Sequence, residues 1–158
     1  MEQSRSRRRR SLGFSLIELL IVIAIILIIL TIAVPKMGVA QMNAREMAVV
    51  REIQTINTAQ AQFMSQFGRF ATTLAELGPP ASGGPGPSAA DLIPASLASG
   101  DKDGYTFVLA ATPSGYSLNV NPKVYNSTGR RSFYSDQNMI THQNWTAEPA
   151  NASSPELK

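Results

Sequence analysis

Residues 14–34, FSLIELLIVIAIILIILTIAV, carry one charge in twenty-one positions, and every residue from Leu19 to Leu30 is apolar. A run of ~20 apolar residues makes a helix long enough to cross a ~30 Å hydrocarbon core. Past Pro35 the pattern turns from continuous to periodic. Met42, Met47, Val50, Ile53, Ile56, Ala59, Phe63 and Phe67 recur mostly at spacings of three and four, which predicts an amphipathic helix over 36–67. Arg45, Glu46, Arg51 and Glu52 are read mostly onto its opposite side. The two patterns join into one helix from 15 to about 67, ~80 Å long at the α-helical rise. One small domain does not need such a helix, so its N-terminal half is expected to be buried in lipid or in other copies of itself. Pro35 lies inside it and has no N–H to donate, so a bend is expected there, loosened further by Gly38. The stripe from Met42 to Phe67 is read as packing surface and not as a cofactor site.

The rest of the chain reads as a connection and a sheet. Residues 68–104 are irregular, with a short helix expected at 73–77 and helical turns near 89–93 and 95–98. Between them GPPASGGPGPS (78–88) is too rich in proline and glycine for regular structure. YTFVLAA (105–111), GYSLNVN (115–121), RSFYSD (131–136) and MITH (139–142) are short strand-like runs joined by polar turns, which predicts an antiparallel meander. One face of it would cover the helix stripe, an α+β head. Residues 146–158 have few large apolar residues and are expected to fray.

Charge sharpens this division. Residues 1–13 hold five of the fourteen basic residues, Arg5, Arg7, Arg8, Arg9 and Arg10, and one acid, Glu2. Without them nine basic residues face ten acidic ones, so the basic character belongs to the leader, and the body lacks the basic excess of a nucleic-acid binder. The arginines precede the apolar run directly, which predicts a cytoplasmic N-terminus and a body across the membrane. A cleavable secretory signal, a twin-arginine signal and a plain anchor all compete for this pattern, but the run is longer and more apolar than either signal, and no A-x-A follows it. None of the three explains Glu18. A carboxylate inside a bilayer costs ~2.5–3.5 kcal/mol, so it snorkels to the headgroups or meets a cation. The nearest candidate cation is a new α-amino group, if the leader is cut off before Phe14.

Gly13, Phe14, Glu18 as the fifth residue from Phe14, and the apolar run to Pro35 resemble the class III signal of type IV pilins and type II secretion pseudopilins. The resemblance is close over G-F-S-L-I-E-L-L-I-V-I-A (13–24). It implies the pilin fold, a long N-terminal helix packed on a small antiparallel sheet. It implies cleavage between Gly13 and Phe14 by a prepilin peptidase, followed by N-methylation of Phe14. The domain plan is then a cleaved leader (1–13), a long helix (14–67) whose half 14–35 is the membrane or filament-core part, a variable connection (68–104), a sheet head (105–145) and a tail (146–158). In this reading Glu18 offers −1 to the N-terminal +1 of a neighbouring subunit, and a subunit out of register leaves two bare charges. GDKDGYTF and GRRSFYSDQNMITH further resemble the heads of pilin-like proteins and major pseudopilins.

Other chemistry is sparse. The chain has no cysteine and one histidine, His142, which excludes disulfides, thiolate sites and paired-histidine metal sites. His142 is read as a surface or turn residue. The absence of cysteine departs from many type IV pilins, whose C-terminal loop is closed by a disulfide. No catalytic residue is assigned. Asp101, Asp103 and Asp136 are weak candidates for Ca²⁺, because D-K-D-G fits a hairpin turn equally well. Asn126, Asn144 and Asn151 match the N-glycosylation pattern and are read as incidental.

The resemblance implies a non-enzymatic filament subunit, a major pilin, with itself, the prepilin peptidase, an inner-membrane assembly platform and an assembly ATPase as partners. It implies an inner-membrane precursor and then an extracellular pilus. The alternatives are a secretion-system pseudopilin in a periplasmic filament, and a signal-anchored periplasmic domain binding a ligand through Tyr105, Tyr116, Tyr125, Tyr134 and Trp145.

Overall fold

The first helix begins at Leu16, as soon as the apolar run allows, and its assignment continues to Phe67 (α1, Leu16–Phe67). The computed structural model describes residues 13–112 and 114–158, without the side chains of 34–36. The leader expected at 1–13 therefore lies outside the described residues except for Gly13. The chain divides into two units, one ending at Met37 and one of Gly38–Lys158.

In the first unit the described residues from Leu16 onward are helical, and the large apolar side chains are exposed, from Val22 at 45% to Leu16 at 80%. The helix is long and apolar enough to cross a membrane, and none of its most apolar stretch is buried by the chain itself.

In the second unit α1 ends where Gly68 adopts a φ of 71° and donates its N–H to the Met64 carbonyl at 2.9 Å, a left-handed stop that glycine makes at least cost. Two short helices follow, α2 (Leu74–Leu77) and α3 (Ala95–Ala98). Thr73 caps α2 by accepting from the Glu76 N–H. The expected turn at 89–93 is not helical. Ala90, Leu92 and Ile93 instead donate to carbonyls of Glu76 and Leu77, and this docking buries Ala90 and Ile93.

Five strands form one antiparallel sheet in sequence order: β1 (Asp101–Lys102), β2 (Tyr105–Thr112), β3 (Gly115–Pro122), β4 (Ser132–Asp136) and β5 (Thr141–Asn144). Lys102 pairs with Tyr105 across Asp103 and Gly104, whose φ values of 52° and 80° make the two-residue turn that Asp-Gly favours. β5 starts two residues later than the expected run at 139. Asn138 donates its N–H to the Asp136 carboxylate and Met139 takes a φ of 62°, so both belong to the turn.

Alternation on the strands puts Phe107, Leu109, Leu118, Val120 and Phe133 on one face. That face and Val49, Ile53, Ile56, Ala59 and Phe63 of α1 form the core. Each valine, leucine, isoleucine or phenylalanine among them contributes ~1.5–3 kcal/mol by leaving water. The chain is thus an α+β protein with a long helix against an antiparallel sheet.

The segment 146–158, expected to fray, is held. Gln143 N donates to the Pro155 carbonyl and Leu157 N to the Thr141 carbonyl, both at 2.8 Å, which covers the outer edge of β5. Ala150 is buried, and His142 Nδ1 donates to the Ser154 carbonyl at 2.7 Å. The tail's apolar residues are few, but backbone pairing needs none.

Candidate functional site

Gly13 and Phe14 precede the helix, and Phe14 is 84% exposed. A Cβ built on Gly13 meets nothing within 4 Å, and no unusual φ is required there. Among the described residues nothing in the packing demands glycine at 13. Glu18 occupies the first turn of α1, where unpaired N–H groups favour an acid. Its side chain is exposed and has no ion pair among the described residues. Pro35 lies within the helix assignment, and its side chain lies outside the described residues. By its chemistry it leaves the Thr31 carbonyl without the usual N–H donor.

The structure sets Asp136 apart from Asp101. Asp101 accepts from Thr106 Oγ1 at 3.1 Å and pairs with Lys123 at 3.2 Å, and these bonds hold its carboxyl below the ordinary range. Asp103 sits in the β1–β2 turn. Asp136 lies beside Ser117, the partner of Ala110, whereas Asp101 lies beside Thr106, four residues away along β2. Four residues of strand are ~13 Å. No cluster of three or more metal-ligating side chains occurs among the described residues.

The aromatic candidates divide. Tyr105 and Tyr116 are core residues, their hydroxyls bonded to the Arg131 carbonyl (3.0 Å) and Asn57 Oδ1 (2.9 Å). Burial raises both hydroxyls far above their ordinary pKa; the Glu46 charge adds to this for Tyr105, and that of Asp136 for Tyr116. Tyr134 is half-buried, while Tyr125 and Trp145 are exposed.

The polar residues that position the helix on the sheet were not anticipated. Glu46 is 2% exposed, not on the outer side. It accepts from Arg130 N and from Arg131 Nε, both at 2.7 Å. Arg131 also reaches Gln143 Oε1 at 2.9 Å. Glu52 pairs with Lys102. Asn57 donates to Ser135 Oγ at 2.9 Å, and Gln60 exchanges two bonds with the backbone of Ala71. Glu46, Val49, Ile53, Ile56, Gln60 and Phe63 are spaced by three or four, so the signal was periodicity applied to polar as well as apolar residues. Every described buried side-chain polar atom has a partner.

Comparison with known proteins bears on the first unit above all. Residues 8–34 match the family model of the prokaryotic N-terminal methylation motif. The chain is similar to the type IV major pilin protein PilA of Myxococcus xanthus (strain DK1622), 36% identical over 69 residues. That stretch covers 44% of this chain and 31% of the relative, so the chain matches less than a third of the curated protein's length. No solved structure matches. The chain thus carries the prokaryotic N-terminal methylation motif ahead of an α+β fold and is similar over part of its length to a type IV major pilin.

Proposed function

We propose that the chain is the major structural subunit of a type IV pilus-like helical filament. The observation that carries this reading is the first unit itself: an apolar helix that its own chain leaves exposed, with Glu18 the one charge in its first turns. Such a surface is stable only in lipid or against other apolar helices. The precursor is held in the inner membrane with its N-terminus in the cytoplasm and its head in the periplasm. A prepilin peptidase cuts between Gly13 and Phe14, where a side-chain-free residue in an unpaired stretch lets the enzyme approach the scissile carbonyl, and Phe14 is then N-methylated. Glu18 meets the new N-terminus of a neighbour. Passing from lipid to helix bundle roughly preserves apolar burial, so charge matching sets the register. An assembly platform and an assembly ATPase supply the work.

The test is the intact mass of the mature protein together with electron microscopy of sheared material. Loss of residues 1–13 plus one methyl group, with fibres in the sheared fraction, is the expected result. A mature chain that still begins at Met1 or Glu2 overturns it. The head segments GDKDGYTF and GRRSFYSD favour the pseudopilin as second reading, and shearing separates the two, since a periplasmic filament releases no subunit from the cell surface.

A further inference from the structure

The two edges of the sheet end differently. The outer edge of β5 is covered by the segment 146–158, whose Pro155 carbonyl and Leu157 N–H meet its main chain. At the other edge β1 pairs only with Tyr105 and Thr106 of β2, and the Gly100 carbonyl accepts one bond more, from the Phe107 N–H at 2.7 Å. The Phe107 N–H therefore points away from β3. Main-chain groups alternate in direction along a strand, so those of Leu109 and Ala111 point outward too. Among the described residues they meet no hydrogen-bond partner.

Natural sheets blunt an open edge with charge, proline or a bulge. β2, YTFVLAAT, carries no charge and no proline, and its pairing with β3 runs from Tyr105 to Thr112 without a bulge. Val108 is 50% exposed, and Ala110 and Ala111 are exposed beside it. Open grooves border both ends of this stretch, one lined by Leu74, Ala98 and Val108, the other by Met64, Phe70 and Ala111.

Such an edge takes up another extended strand through main-chain bonds, and this one is complementary to itself. Laid antiparallel about Ala110, two copies set Leu109 against Ala111, so the outward N–H and C=O groups of both residues pair in both copies. Val108 then faces Thr112, and no charge opposes a like charge. β2 ends at Thr112, so the partner's strand stops opposite Val108, just short of the Phe107 N–H that Gly100 already holds.

We propose that the outer edge of β2, from Val108 to Thr112, is a pairing site for the same edge of a second copy, which joins the two sheets into one. The contact is two-fold and closed, with the same surface used on both copies. It goes beyond the filament reading and does not depend on it.

The chain has no cysteine, so single introduced thiols report the contact. Positions 108, 110 and 112 meet their partners as non-hydrogen-bonded pairs, with Cα atoms ~4.5 Å apart, within reach of a disulfide. The purified full chain, in excess detergent, is oxidised and run on a non-reducing gel. A110C is expected to form a covalent dimer, and S153C, on the exposed tail, to stay monomeric. V108C and T112C should each stay monomeric alone and cross-link when mixed. Ala111→Pro in the A110C chain removes an outward N–H and should abolish the dimer, with circular dichroism unchanged because that N–H faces away from β3. A110C that dimerises no faster than S153C overturns the proposal. V108C that links to itself overturns it by showing another register. A dimer that survives Ala111→Pro in a folded chain overturns it by showing contact without main-chain pairing. Should the proline variant not fold, the mixture of V108C and T112C decides alone.

Discussion

A buried carboxylate survives only while its charge is matched, and Glu46 is matched twice, by the Arg131 guanidinium and by the Arg130 N–H. Removing either partner of such a pair leaves the other uncompensated, at about 3–5 kcal/mol. Glu46→Ala is therefore expected to destabilise the head by that order, read by urea denaturation, whereas Glu46→Gln should cost less. An Ala variant as stable as the parent would show that the pair contributes nothing. Glu18 is the opposite case, a carboxylate with no ion pair among the described residues. Glu18→Ala should leave the removal of 1–13 intact, read by mass, and strongly reduce filament yield. Normal polymer from that variant would remove the register role. Gly129 follows from sterics: a Cβ there would collide with the Tyr105 hydroxyl, so Gly129→Ala should destabilise the head.

Among the elements, the helix–sheet contact carries the core. Phe63 is fully buried beside Phe67 with ring centres 4.7 Å apart, and Phe63→Ala should cost about 3–5 kcal/mol. The α2 region adds a pH dependence. Partial burial pushes the Glu76 carboxyl up, but hydrogen bonds from Arg69 and Thr72 outweigh it and hold the carboxyl below its ordinary value. A depressed carboxyl stabilises the fold above its unfolded pKa and loses that contribution as pH falls through the folded one. Stability is thus expected to decline as pH drops below about 4, and Glu76→Gln should flatten part of the decline. An unchanged slope in that variant would assign the decline to other acids, Asp101 first, whose bonds to Lys123 and Thr106 lower its carboxyl in the same direction. The legible parts of these elements were those with strong periodicity: α1 to Phe67, and β2 and β3 within a residue. The tail was misread because Gln143 and Thr141 hold it through a main-chain N–H and carbonyl, which every residue has and no composition reveals, with the His142 ring adding a bond to the Ser154 carbonyl.

For the molecule as a whole the two units differ in what completes them. The buried hydrophobic residues run from Val49 to Ala150, all within the second unit, so a chain starting at Gly38 is expected to be soluble without detergent and to unfold cooperatively. Gel filtration and a thermal melt check this, and a broad, non-cooperative melt would mean that the head needs the first helix. The full chain should require detergent or lipid, because its first unit exposes every large apolar side chain described there.

The first unit is the part that could be read without coordinates. Gly13, Phe14 and Glu18 belong to a motif written in spacing along one chain, and a long apolar helix needs no tertiary contact to be recognised. The head's helix-and-sheet plan was visible too, because burial on one face imposes periods of 3.6 and 2. Which polar residues lie inside was decided only by folding. Glu46, Asn57 and Gln60 are tolerated in the core because Arg131, Ser135 and Ala71 reach them from positions distant in the chain, and no local pattern encodes such a meeting. The same holds for Arg131, which meets Glu46 of α1 and the Trp145 ring only because the segments flanking β4 and β5 are folded together there.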